Sequence, residues 1–436
     1  MTIKSLSQIL QTNSKAKLTS FSTKLSKNDA YDSFIHFSIL SHYRSFRGQK
    51  YFEMMVVLLI AVIGLIIFDT TLAFSSSLTP TGFAENKYRS VISLESNPAI
   101  PVWPTWGFLA GKVGKVVPVS LGNQLQDPFL LLAHHDHWFD PRDPLRGPFK
   151  AIGKALGLPY VDVEGFSMHP HRGFDIFTYI LDGSDGFQHR DNLGTTSKIY
   201  RGGTCQFMRT GSGVLHEEFW ETDSKRRTNI ELFQLWVNLP AIRKFDEPAI
   251  CYIGQDTPHP WIETDIIDTE TESVIGSVRD ISGTLDEATK TADGKDIDIS
   301  STPMIHSRPP LKILHVKLQP GGRWTPSAPS SHSAVLYIRT GSASISNGGD
   351  SIVATTRQTI TFAPDGDFLS VENNDTEKIL DMIALIAMPL KEPVVSAGPI
   401  VMNTSEEIND AYRQIQNGTF LKRDLVLQEQ NDKGYS

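Results

Sequence analysis

The chain has 436 residues, 40% of them hydrophobic and 21% charged, ordinary globular values with room for two or three domains. Its net charge of −8 is unevenly spread: residues 1–53 carry eight Lys/Arg against Asp29, Asp32 and Glu53, so the remaining 33 basic and 46 acidic residues sit at −13. A body that acidic, without a basic stripe interleaved with aromatics, disfavours direct nucleic-acid binding, and two cysteines, Cys205 and Cys251, make no disulfide framework and read as free buried thiols.

Met54 to Phe68 (MMVVLLIAVIGLIIF) is an unbroken apolar run of fifteen residues. It is shorter than the roughly 20 residues of an untilted membrane span but suits the core of a signal peptide or short signal-anchor. Arg44, Arg47 and Lys50 form a positive flank, and Thr71-Leu72-Ala73 before Phe74 has the small residues of a cleavage site. With Phe directly after the cut and a hydroxyl-rich SSSLTPTGF following, the segment resembles the bipartite plastid-targeting leaders of algae with secondary red plastids. Residues 1–95 therefore read as an ER-targeted leader and linker, destined for a plastid or retained as a membrane anchor through residues 54–68. If the upstream segment is no part of the real product, the nucleus or cytoplasm is the alternative.

From Asn97 the pattern turns to short strand-like runs between Gly, Pro, Asn and Asp: DIFTYIL (175–181), IELFQLWVNL (230–239), LKILHVKL (311–318), AVLYIR (334–339) and ILDMIALIAM (379–388). Many strands at this spacing predict an all-β chain of barrels or sandwiches, with hairpin turns at Asp182-Gly183 and Asn347-Gly348. Residues 134–165 read as an irregular insertion, and 266–308, within a stretch rich in Asp, Thr, Ser and Lys, as a linker between units at 96–265 and 309–436. Near the end, Ile408, Ala411, Tyr412 and Ile415 recur at helical spacing behind Ser405, with Glu406 and Glu407 in the first turn, which predicts a short capped helix.

Two segments carry chemistry. In FSMHPHRGF, His169 and His171 lie two residues apart, so on a strand their imidazoles share a face; Pro170 suits the start or edge of that strand. In GSGVLHEEFW, His216 and Glu218 share a face by the same parity, while Glu217 should point away. Three imidazoles and a carboxylate converging inside a barrel form a mixed N/O set for a divalent first-row metal with open positions. HHDHWFDP places His134, His135, Asp136 and His137 together, read as a polar loop at the barrel rim. His189 lies between the two motifs and reads as a surface residue, with a pocket-lining or ligand-orienting role as the alternative. His315 and His332 have no partner two residues away and read as structural.

HPHRGF (169–174) and GSGVLHEE (211–218), together with LQDPFLLL (125–132), FQLWVNLP (233–240), MPLKEPVVSAGP (388–399) and VMNTSEEI (401–408), resemble the pirin family of bicupins over roughly Asp127 to Phe420. The resemblance implies two tandem cupin (double-stranded β-helix, jelly-roll) barrels with a short C-terminal helix, the first metal-binding and the second metal-free. It implies that His169, His171, His216 and Glu218 hold one Fe(II), other first-row divalent metals being alternatives, and that Asp175, where pirins have Glu, is not needed as a ligand. Two activities go with the family: dioxygenolytic cleavage of flavonols, with a small aromatic substrate and O2 as partners, or a non-enzymatic redox-sensitive transcriptional role with a protein partner. In the enzymatic reading Glu218 is both ligand and general base.

Overall fold

The protein is described from a computed structural model, which covers residues 87–101, 114–142, 165–194, 198–254, 257, 259–282, 310–347 and 349–421. The apolar run 54–68 lies outside the described residues, as does most of the insertion, 143–164. No helix among the described residues is long and apolar enough to cross a membrane.

The strand-like runs become antiparallel strands almost as read, Leu311–Leu318 without a change of boundary. They form two barrels on one plan, each pairing a seven-stranded sheet with a four-stranded one. In the first barrel the large sheet runs in the order Ala249–Gly254, Thr204–Arg209, Phe174–Ile180, Thr228–Asn238, Phe129–Phe139, Gly114–Ser120, Ile100–Pro101. Its small sheet runs Gly165–His171, Val214–Trp220, Phe187–Asp191, Lys198–Tyr200. The second barrel repeats the plan, with Val91–Ser96 on one edge of its large sheet and Val274–Asp280 and Ile262–Ile267 on the other. The architecture is a tandem cupin with one short C-terminal helix.

Three expectations about organisation change. The stretch read as a linker at 266–308 contains the strand Val274–Asp280, which pairs with Leu311–Leu318. Val91–Ser96, assigned to the leader, pairs with Gln358–Phe362 of the second barrel. The irregular insertion begins later than residue 134, because the strand Phe129–Phe139 runs through the histidine cluster. Four polar residues in succession hide strand alternation from a hydrophobicity reading, yet here both faces are used. His134 bonds Glu231 at 2.8 Å and the Tyr337 hydroxyl at 3.0 Å, while on the opposite face His135 Nδ1 meets His137 Nε2 at 2.9 Å and His137 packs on Trp220.

The central strands of the large sheets are buried on both faces: every residue of Phe174–Ile180 and of Leu380–Ala387 is buried, with no alternation. One face of each lines its own barrel. The other faces meet in a shared core, where Val117, Phe129, Phe177, Phe207, Phe233 and Leu235 of the first barrel pack against Leu311, Ile313, Val335, Ile383 and Leu385 of the second. A polar chain crosses this interface: Tyr179 to His315 at 2.8 Å, His315 to Asp381 at 3.0 Å, Asp381 to Arg339 at 2.9 Å and Arg339 to Glu231 at 2.7 Å. His315 sits within this chain of bonds, and His332 is half-buried. Cys205 and Cys251 are buried and are not joined in a disulfide.

The C-terminal helix spans Ser405–Asn417. Its cap is Thr404 and not Ser405: Thr404 accepts from the Glu407 amide while the Glu407 carboxylate reaches back to the Thr404 amide, a reciprocal capping box, and Gly418 closes the helix in the left-handed conformation.

Candidate metal centre

The strands Gly165–His171 and Val214–Trp220 pair antiparallel with His216 opposite His169 and Val214 opposite His171. Cross-strand partners share a face. The register shifts between His216 and Glu218, so that Glu218 faces Phe166; the extra residue on the partner strand is a bulge. The carbonyl of Ser167, within the bulge, accepts from His169 Nδ1 at 2.8 Å. His171 Nδ1 likewise donates to the carbonyl of Pro399 at 3.3 Å. A carbonyl can only accept, so both rings carry their proton on Nδ1 and present the Nε2 lone pair.

The three imidazoles meet as the parity argument requires. Ring centroids lie 4.4 Å apart for His169 and His216, 4.8 Å for His169 and His171, and 4.9 Å for His171 and His216, and one nitrogen of each comes within 4.8 Å of the others. A second triad within the same limit is His189, His216 and Glu218. His216 belongs to both, so the four expected residues are brought together through it, and a fifth joins them.

That fifth residue corrects the surface reading of His189. It is fully buried, sits directly opposite Glu218 in the register of Phe187–Asp191 against Val214–Trp220, and donates from Nε2 to Asp191 Oδ2 at 3.0 Å. Its Nδ1 is buried without a hydrogen-bond partner among the described residues. The spacing of His189 and Asp191 held this signal, a same-face imidazole and carboxylate, but sequence does not say which neighbouring strand the pair will face. Glu217 behaves as parity demands: it turns outward to pair with Arg190 at 2.7 Å.

Burial sets the electrostatics. His171, His216 and Glu218 are each no more than 3% exposed, and only His169 reaches the surface appreciably. Loss of water pushes the His216 and His171 pKa well below the usual imidazole range and that of His169 down to about 4, so all three are neutral at pH 7. The same cause raises the Glu218 carboxyl, whose Oε2 accepts from Gln234 Nε2 at 3.1 Å. Both His216 nitrogens, His189 Nδ1 and Glu218 Oε1 are buried without a hydrogen-bond partner among the described residues. Such orphaned groups are expensive unless something satisfies them, and neutral imidazole lone pairs beside a carboxylate are the donor set a divalent first-row cation takes. The residues fit a metal. Asp175 joins neither triad; it is fully buried on Phe174–Ile180, and burial lowers the Lys244 pKa to about 8, a shift that the charges of Glu392, Glu407 and Asp175 only partly offset. His135 and His137 lie on the strand opposite Leu232 and Ile230 and form a pair, not a triad.

Comparisons with known proteins agree with this architecture. The family model described as Pirin matches residues 115–237, and that described as Pirin C-terminal cupin domain matches residues 313–421. Pirin-1 of Arabidopsis thaliana is 32% identical over 253 residues, covering 58% of this chain and 77% of the relative. A Pseudomonas aeruginosa protein provisionally named a quercetin 2,3-dioxygenase is 33% identical over 256 residues, covering 59% of this chain and 80% of its own. Among solved structures, a quercetin 2,3-dioxygenase from Acinetobacter baumannii superposes with a TM-score of 0.57 at 23% identity, over 76% of this chain and 98% of that one, a likeness of fold. With two family models on the two barrels and relatives matched over most of their length, the chain belongs to the pirin family of tandem cupins.

Proposed function

We propose that this chain is a metal-dependent dioxygenase of quercetinase type, which holds one Fe(II) through His169, His171, His216 and Glu218 and opens small flavonol-like aromatics with O2. The observation that carries the reading is the buried cluster of neutral imidazoles around His216, with donor atoms that no described protein group satisfies. The relative provisionally named a quercetin 2,3-dioxygenase supports the substrate class. So do the rings around the cluster: Trp236 lies 5.5 Å from His171 and Phe166 lies 6.3 Å from His169, walls suited to a flat aromatic.

When bound, the cation supplies Lewis acidity that lowers the pKa of a substrate hydroxyl, and positions for oxygen and substrate. The rest is done by the chain. Ser167 and Pro399 fix two imidazole tautomers through their carbonyls. Gln234 holds one oxygen of Glu218, leaving Oε1 as the atom that would take the substrate's hydroxyl proton. His169, the ligand nearest solvent, marks the side from which a substrate enters.

The test is Glu218→Gln in protein purified anaerobically and analysed for metal, with oxygen consumption measured over a flavonol panel. We expect partial metal retention and a loss of turnover of about 10²-fold or more. Wild-type turnover in the variant removes Glu218 as base, and full iron occupancy with no oxygen uptake by the wild type on any flavonol replaces the enzymatic reading with a redox-sensing one.

A further inference from the structure

The first barrel's metal motif is completed by chain that follows the second barrel. After Ala387 the chain returns to the first barrel, where Ile400 makes a parallel bridge with Arg172, the Val401 amide donates to the Arg172 carbonyl at 3.0 Å, and Val401 packs among Phe174, Ile176, Met208 and Val214. This places the Pro399 carbonyl on His171 Nδ1. The hairpin Val395–Ala397 with Ile400–Met402 is in turn carried by the helix: Ile400, Met402, Ile408, Ala411 and Phe420 form one small core, and the Tyr412 hydroxyl donates to the Ala397 carbonyl at 2.8 Å.

The residues flanking His171 are shaped for this clasp. Arg172 is 1% exposed and spends its guanidinium on it: Nε donates to the Ser212 carbonyl at 2.7 Å, one terminal nitrogen to Gln414 Oε1 at 2.9 Å, the other to the Phe420 carbonyl at 2.7 Å, and its Cζ lies 4.2 Å from the centre of the Phe420 ring. Gly173 has φ +88°, and a Cβ there would lie 2.0 Å from the Val401 carbonyl oxygen, so only glycine permits this approach. Buried Lys244 ties the carbonyls of Gly173 and Val401 and the side chain of Asn238 together at 2.6–3.2 Å. These contacts bury two cations at a strand end that also carries His171. They specify position, and a barrel that needed only to close would not require them.

We infer that the C-terminal clasp, residues 395–421 locked by Arg172 and Phe420, is a positioning element of the metal centre, so that metal occupancy and clasp docking are thermodynamically linked. The inference rests on the metal reading above. A histidine whose Nδ1–H loses its acceptor loses the fixed tautomer and ring orientation, and loss of such partners typically weakens a metal site about 10- to 100-fold. Linkage is reciprocal, so bound metal must favour the docked clasp by the same factor.

The experiment uses the full chain, the double variant Gln414→Ala/Phe420→Ala, and Ile345→Ala, a control that opens a hole in the second barrel's interior. Co(II) affinity is measured by chelator competition, and deuterium exchange of 405–421 is followed with and without Co(II). We expect the double variant to bind Co(II) about tenfold or more weakly, the control to bind as wild type despite its lower thermal stability, and Co(II) to slow exchange of 405–421 in the wild type. Equal affinity in wild type and double variant, or exchange in 405–421 indifferent to Co(II) while the wild type binds it, overturns the clasp inference alone. A wild type that binds no Co(II) or Fe(II) overturns the metal reading, and the clasp with it.

Discussion

The second barrel encloses Val316, Leu318, Leu336, Ile338, Ile345, Leu380 and Met382, all fully buried and none polar. The first, built on the same strand plan, turns inward His137, Gln206, His216, Glu218 and Gln234, with His135 beside them. Burying polar groups costs stability unless they are bonded, and several here are satisfied by no described protein group. The first barrel keeps apolar clusters around Trp220 and around Phe174 beside these polar groups, and the rest of its apolar support lies on the outer face of its large sheet, where it docks against the second. One barrel is a core that anchors; the other is a site that is anchored.

Acid should break this asymmetry most strongly. Burial holds the pKa of His137, His171 and His216 well below the usual imidazole range, and those of His169 and His135 at about 4 and about 3. Each therefore stays neutral in the fold at a pH where the unfolded chain binds a proton. The stability associated with that difference is intact above about pH 6.5 and is lost progressively as pH falls toward 4, by up to about 1.4 kcal/mol per pH unit for each fully buried histidine. Among the described residues, the second barrel's interior cluster is apolar and offers nothing to titrate in this range. Denaturant unfolding of chelator-treated protein should show a midpoint well below its pH 7 value at pH 5, and metal should oppose the loss, because protons and cation compete for the same lone pairs. A midpoint flat from pH 7 to pH 5 would mean that the imidazoles are not held neutral by burial.

Next in size is Leu336→Ala. Leu336 is fully buried in the second barrel, and a cavity there should remove about 2–5 kcal/mol of stability. Metal stoichiometry and affinity should not change at pH 7, because the residue touches the anchor and not the site. Weaker metal binding in step with the lost stability would show that the two interiors are not separable.

What sequence could and could not reach follows the same division. Period-two parity is a local rule, and it put His169 with His171, and His216 with Glu218, on common faces because each pair lies within one strand. It could not see that His189 would be laid opposite Glu218, nor that a carbonyl at 399 would serve an imidazole at 171, since those depend on which strands become neighbours. The run from His134 to His137 failed for another reason. A hydrophobicity pattern marks a strand only when its two faces differ in polarity, and here one face meets an inter-barrel ion pair and the other a pair of stacked imidazoles. The family resemblance supplied the long-range part, the two barrels and the convergence of the two motifs, and the clasp around Arg172 stayed invisible because its partners are about 240 residues away.

The smallest expected effect sharpens the comparison within a single strand. Glu217 and Glu218 are adjacent, chemically identical and opposite in facing: one pairs with Arg190, whose side chain is half in solvent, and the other is buried beside His216 and His189. An ion pair of the first kind contributes between nothing and about 1 kcal/mol. Glu217→Gln should therefore shift the unfolding midpoint barely, and leave metal content and oxygen consumption at wild-type values. The same change one residue on should remove turnover. Only the pleat distinguishes the two positions, so a loss of metal or activity in Glu217→Gln would mean that the register between His216 and Glu218 is read one residue out and that the outward carboxylate is the ligand.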